Sequence, residues 1–403
     1  MKPRLHVSAI GGRHQFAHFL PVAFELQRRG SFDVEIFVPH ADDICEVEAI
    51  AYGLGYPVPK IATMNMPAQL ERRMPQKLNK LARLLFWAGR IRAGDAVLCA
   101  ERTSTILKRL PGRSLKLIHI PHGAGDRAVG FEKRFRYFDY VVVAGQKDRD
   151  RLLAEGLVSE DGCAAAGPVK VAASLRMQAQ RSRLFDDDRP IILYNPHFNG
   201  KLSSAGDFTH RLVEAILKDD RYNLVVAPHV RLAEHLDDAR RKALEALALP
   251  GRVIVDLGSR RSIDMTYTLG ADLYIGDVSS QVYEFLIQPR PCLFVNAHHA
   301  QWDGNPDYAM WQFGDVISPD CDILGGIERA FLHHARYRPA QIARAKAALD
   351  GLDWDDSGVV DFSAADPIAR AAVLIEQSMK ADHGKRAGHA AAFRLPRRDL
   401  SFR

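Results

Sequence analysis

Phe185-Asp186-Asp187-Asp188-Arg189-Pro190-Ile191-Ile192-Leu193-Tyr194 is the stretch that divides the chain. Its first half is polar and closes on a proline, as linkers do, and its second half is an apolar, β-rich run. Upstream, short apolar runs alternate with helical patterns. Leu5–Ile10 is followed by a Gly-Gly turn and a helix over about residues 14–29, then by Val34–Val38, Ala96–Cys99, Leu115–Ile120 and Tyr140–Ala144. Downstream the series restarts at Ile191–Tyr194 and continues through Asn223–Ala227, Arg252–Val255, Leu273–Ile275 and Cys292–Val295. Strands alternating with helices imply parallel sheets covered on both faces. The expected fold is α/β, with two Rossmann-like doubly wound domains of similar size, residues 1–184 and 185–380, facing across a cleft. Ligands bind beyond the carboxyl ends of such strands, so loops from both halves should line the cleft.

A length of 403 residues fits two or three domains. With 47% hydrophobic and 26% charged residues the chain is globular in composition, which excludes a disordered or fibrous protein. Lys and Arg number 55 against 49 Asp and Glu, a net charge of +6. That excess suits anionic ligands or a membrane surface and is too small to imply nucleic acid. No run approaches the ~18 apolar residues of a membrane-spanning helix. The start, Met1-Lys2-Pro3-Arg4-Leu5, lacks the pattern of a signal peptide. Cys45, Cys99, Cys163, Cys292 and Cys321 are far apart and form no CxxC pair, which fits a reducing cytosol better than a disulfide framework or structural zinc. The expected location is cytoplasmic, with peripheral contact at the inner membrane face.

Two basic segments bear on that contact. Arg72, Arg73, Lys77, Lys80, Arg83, Arg90 and Arg92 are interspersed with Leu78, Leu81, Leu84, Leu85, Phe86 and Trp87. This amphipathic pattern fits either an anionic membrane or a packed helix with a solvated basic face. Residues 381–403 read as a basic tail, expected to be mobile and able to add attraction to anionic lipid. The Asp186–Asp188 run reads as a solvated linker, and the adjacent His298 and His299 would point to opposite faces of an extended segment. No metal and no cofactor are expected.

Chemistry concentrates at strand ends. Pro121-His122-Gly123-Ala124-Gly125-Asp126 follows the run Leu115–Ile120, and an imidazole there can accept a proton from a hydroxyl nucleophile. Ala227-Pro228-His229 ends a strand in the other half, with Arg231 close behind, and can donate to a phosphate or leaving-group oxygen. Gly276-Asp277-Val278-Ser279-Ser280-Gln281-Val282-Tyr283-Glu284-Phe285 runs from a strand into a helix start. Free amides and two hydroxyls at that point suit a phosphate, although capping of the helix alone would explain one of the serines. Gly11-Gly12-Arg13-His14 lies between the first strand and helix without the spacing of a dinucleotide fingerprint. Asn195-Pro196-His197-Phe198 ends the first strand of the second half and should also face the cleft.

In order, these pieces resemble the CDP-glycerol glycerophosphotransferase family, the teichoic-acid polymerase and primase group. Pro121-His122-Gly123-Ala124 is similar to its His-Gly-Thr loop, and Asp139–Ala144 with Gln146–Leu153 to the segment after it. Pro228-His229 resembles the His-Pro element with the dipeptide order inverted. Asp277–Phe285 resembles Asp-Tyr-Ser-Ser-x-x-x-Asp-Phe. The resemblance covers roughly residues 115–300. It implies a GT-B architecture with an N-terminal acceptor domain and a C-terminal nucleotide-donor domain. By that match His122 is the base, His229 the contact to the donor phosphate, and Ser279 and Ser280 the phosphate cradle. From their own places at strand ends and in these motifs, Gln281 and Arg231 are expected beside the donor phosphate, and Gly12, Arg13, His14, Gly123, Asp126, Asn195, His197, Asp277 and Glu284 elsewhere in the cleft. The family's Lys after His-Gly-Thr is absent, and Glu284 stands in place of its Asp. The implied activity is transfer of a phospho-alcohol such as glycerophosphate from a CDP-linked donor to a hydroxyl acceptor, lipid-linked or on a surface glycan. The alternatives are a GT-B glycosyltransferase using a nucleotide sugar, then a nucleotide-sugar 2-epimerase or a non-catalytic glycan-assembly protein.

Overall fold

A computed structural model describes residues 2–67, 69, 71, 75–122, 132–178, 183–233, 236–354, 360–362 and 366–392. Arg72, Arg73, Gly123, Gly125, Asp126 and residues 393–403 lie outside the described residues.

Among the described residues the first sheet has seven parallel strands, β1 (Arg4–Ser8), β2 (Asp33–Val38), β3 (Lys60–Thr63), β4 (Ala96–Cys99), β5 (Lys116–His119), β6 (Tyr140–Val143) and β7 (Cys163–Ala165), in the order β3-β2-β1-β4-β5-β6-β7. The second has six, β8 (Ile191–Asn195), β9 (Asn223–Val226), β10 (Val253–Val255), β11 (Leu273–Gly276), β12 (Cys292–Val295) and β13 (Asp315–Ile317), in the order β10-β9-β8-β11-β12-β13. Both are α/β sheets of the doubly wound kind.

The strands read as unbroken apolar runs because each face is covered. In β4, Leu98 packs into one core of the first domain while Val97 and Cys99 pack into the other. Leu193 and Ile192 of β8 divide in the same way between the two cores of the second. Strand order reverses between β1 and β4 and again between β8 and β11, and at such points the crevice that takes a ligand opens.

The last helix, Pro367–Ala392, returns to the first sheet. Ile368, Ala371, Ala372 and Ile375, spaced as one helical stripe, are fully buried in the first domain's core against the helices Phe16–Arg28 and Val169–Gln178. Glu376 pairs with Arg29 at 2.8 and 3.1 Å. The expected boundary at 380 therefore falls inside a helix, and from Pro367 onward the packing is with the first domain. Residues 381–392, expected as tail, continue that helix.

The two domains meet along a close seam. The amide of Asp350 donates to the Ala144 carbonyl at 2.7 Å. Gly145 lies so near the Ala348 backbone that a Cβ would collide with it.

Candidate functional site

Three loops of the first domain converge at the β1/β4 switch. After β1, Gly12 takes φ +108°, a conformation that favours glycine, and turns the chain into a short 3₁₀ segment bearing His14 and Gln15. After β4, the Glu101 carboxylate accepts from the Thr103 amide at 2.5 Å and the Ser104 amide at 3.2 Å, which fixes the turn that presents the Ala100 carbonyl. After β5 comes His122. Its Nδ1 lies 3.1 Å from the Ala100 carbonyl oxygen. A carbonyl only accepts, so Nδ1 carries the hydrogen and Nε2 keeps its lone pair. The Gln15 side-chain amide donates to that Nε2 at 3.4 Å. The rings of His14 and His18 stand edge-on to His122, at 5.9 and 6.4 Å between centroids.

The second domain answers with the opposite tautomer. The Arg231 amide donates to His229 Nδ1 at 3.2 Å. An amide only donates, so the hydrogen of the neutral ring sits on Nε2. Phe198 packs 4.9 Å from His229, and the Arg231 guanidinium stacks 4.3 Å from Phe198. At the end of β11, Asp277 Oδ2 accepts from the His197 amide at 2.8 Å and the Ser204 amide at 3.0 Å, clasping both ends of the loop after β8.

These halves share one electrostatic neighbourhood. Burial pushes the His14 pKa down to about 3, and the charges of His122, His229, Lys170 and Arg231 reinforce the shift. Burial also lowers His229 to about 4, helped by His197, Arg231, His122 and Lys170. His122 is lowered by burial, opposed by its bond to Ala100. Histidines of both domains are thus close enough to disfavour one another's charge, and all three are neutral at pH 7. Burial raises Asp277 to about 6.

A stability prediction follows from the signs. An unfolded His titrates near 6.5, so the lowered values of His14 and His229 give stability that is whole above about pH 6.5 and is lost as pH falls toward 4. Asp277 acts oppositely, its contribution being lost as pH rises through about 6. With several lowered imidazoles against two carboxyls raised by burial, Asp277 and Glu46, the melting temperature should fall between pH 6.5 and 4. His14→Asn should flatten that fall in thermal unfolding scans, and an unchanged slope would refute the linkage.

Other expected site residues have different duties. Arg13 donates to Asp43 at 2.8 Å and is held on the neighbouring helix. Asn195 is buried, donating to the Ala227 carbonyl at 2.6 Å and accepting from Tyr274 at 3.3 Å, so it ties strand ends together. Buried Ser279 accepts from the Gln281 amide at 3.3 Å and caps the turn. The helix there, Gln281–Phe285, is little more than one turn, so its dipole is small. Ser280 lines a cavity of about 40 Å³ at the seam, with His18, Pro121, Lys170 and Glu284. Gln281 lines a separate recess with Arg261 and Met265. Among the described residues no three His, Cys, Asp or Glu side chains are grouped to hold a metal ion.

No protein-family model matches the chain, and no curated protein matches it in sequence. Solved structures do. A Listeria monocytogenes protein provisionally named as a UDP-N-acetylglucosamine 2-epimerase aligns with a TM-score of 0.65 at 14% identity, covering 94% of this chain and 98% of that one. The wall teichoic acid polymerase TagF, in an H444N form with CDPG, aligns with a TM-score of 0.60 at 12% identity, covering 96% of this chain and 90% of that one. The glycotransferase of kitacinnamycin aligns at 0.53 and 14%, covering 94% and 99%. The chain has a GT-B fold.

His122 of the first domain and His229 of the second are both near enough for their charges to bear on His14, and that of His122 bears on His229 as well. Sequence reading missed Gln15, His18 and Lys170. His18 was within reach, since it lies four residues after His14, one helical turn on. Lys170 belongs to no motif. It reaches the cleft because the helix Val169–Gln178 starts at the seam.

Proposed function

We propose that this chain transfers a phospho-alcohol, of glycerophosphate type, from a CDP-linked donor to a hydroxyl acceptor. The observation that carries the proposal is the pair of opposed tautomers: His122 offers a lone pair at Nε2, and His229 offers a hydrogen at Nε2. The acceptor hydroxyl displaces Gln15 and gives its proton to His122. Its oxygen attacks the distal phosphorus of the donor diphosphate, the bond from that phosphorus to the bridging oxygen breaks, and CMP departs. His229, Arg231 and Ser280 meet the charge that gathers on the leaving oxygens. The likeness in fold to TagF supports the reading. The same base serves a glycosyltransferase, so the test is a panel of nucleotide-activated donors: release of CMP from CDP-glycerol supports phospho-alcohol transfer, and release of UDP or GDP from a nucleotide sugar supports glycosyl transfer instead.

The surface supports an acceptor carried on an anionic membrane. The helix Gln76–Phe86 exposes Leu78, Leu85 and Phe86 by 50%, 43% and 55%. From Pro75 to Ala93 the chain has five basic residues and no acidic one, although Arg83 is buried, donating to the Pro39 and Met64 carbonyls, and Arg90 pairs with Glu35, so neither offers a free charge to a membrane. Lys80 is near enough to bear on His122, so this face borders the acceptor side of the cleft. Burying a Leu or Phe is worth ~1.5–3 kcal/mol, so Leu85→Glu with Phe86→Glu should weaken binding to phosphatidylglycerol vesicles by roughly tenfold or more, read by flotation. Unchanged flotation would refute membrane docking by this helix.

A further inference from the structure

Lys170 is the second residue of the helix Val169–Gln178, at the end where the helix dipole is positive and a cation is disfavoured. It is also buried, at 6% exposure. Its ammonium donates to both Glu284 oxygens at 2.8 Å. The pair bridges the domains, since Glu284 belongs to the segment after β11. Fold stability gives little reason for such a pair, because a buried ion pair is commonly no more stabilising than apolar residues of the same size.

Its position gives a better reason. Lys170 and Glu284 line the seam cavity beside Ser280, Pro121 and His18. The Lys170 charge bears on His14 and His18 on one side of the cleft and on His229 on the other. A lysine is a compact charge on a flexible stem and can turn from one anion to another without moving its backbone.

We propose that Lys170 is the cation that takes the donor's phosphate, and that Glu284 is the counter-ion that holds it while the cleft is empty, an assignment that rests on the donor reading above. Substrate phosphate and Glu284 then compete for one ammonium. The two partners of the pair therefore differ in sign. Removing Lys170 takes away a phosphate ligand, whereas neutralising Glu284 takes away its competitor.

The experiment measures dissociation constants for CDP, UDP and cytidine by calorimetry on the full chain, with thermal unfolding run alongside. Lys170→Met should weaken diphosphate binding by roughly tenfold or more, the scale of a lost charged hydrogen bond, and leave cytidine unaffected. Lys170→Arg should restore part of the loss. Glu284→Gln should tighten diphosphate binding several-fold. Both variants break the same ion pair, so a purely structural pair would lower the melting temperature and weaken nucleotide binding in both. A shift of the same sign in the two variants, or an equal effect on CDP and cytidine, overturns the proposal. Should Lys170→Met fold poorly, Glu284→Gln decides alone, and weaker or unchanged binding in it overturns the assignment. A wild type that binds neither CDP nor UDP overturns the donor reading, and this assignment with it.

Discussion

His122→Asn should lower turnover by about 10²–10⁴-fold, the usual contribution of a positioned general base, and leave donor binding essentially unchanged. Asparagine keeps an amide hydrogen for the Ala100 carbonyl, so the loop after β5 retains its anchor. What it loses is the Nε2 lone pair, which the Ala100 bond assigns to that nitrogen and which the lowered pKa of the ring keeps unprotonated at neutral pH. The acid limb of the wild-type rate should accordingly lie at lower pH than that of an ordinary imidazole, because burial lowers the pKa of the ring. The check is kcat for nucleotide release beside a dissociation constant for CDP. Equal losses in both would make His122 a binding residue and remove the base from the mechanism.

His229→Ala should cost about 10²–10³-fold in kcat, the scale set by loss of one donor to a developing negative charge. His229→Gln should recover part of it, since a glutamine amide can place a hydrogen near the position of Nε2. The neutral ring, at a pKa of about 4, donates that hydrogen across the working pH range. Alanine would also unseat Phe198, whose ring packs on His229 and under Arg231, so some loss of donor affinity should accompany the loss of rate. Steady-state kinetics of the two variants give the comparison. Identical rates for Ala and Gln would mean that His229 acts by packing alone.

Much of the fold was legible because interior strands of doubly wound sheets must be apolar throughout. Ala96–Cys99 and Cys292–Val295 could be read to the residue for that reason. The strands that escaped notice, Lys60–Thr63, Cys163–Ala165 and Asp315–Ile317, are edge strands of three or four residues with mixed composition. An edge strand owes its pairing to its neighbour and shows little of it in its own pattern. The closing helix was missed as a first-domain element because a linear reading assigns a segment to the domain it follows.

The site was legible where chemistry and topology coincide. His122 and His229 stand directly after strands, and strand ends are where doubly wound sheets expose function. The serines were less legible. Asp-x-Ser-Ser looks the same whether a hydroxyl faces a ligand or caps a turn, and Ser279 does the second while Ser280 faces the seam cavity. Lys170 was invisible for another reason. Nothing in Gly167-Pro168-Val169-Lys170 marks a ligand, and its meaning comes from Glu284, 114 residues away.

The central claim is that imidazoles from the two domains act on one diphosphate. A crystal structure of the chain with CDP tests it most directly. The account predicts the terminal phosphate within hydrogen-bond reach of His229 Nε2 and Ser280, with His122 Nε2 facing it across the cleft. A diphosphate seated away from both imidazoles would contradict it.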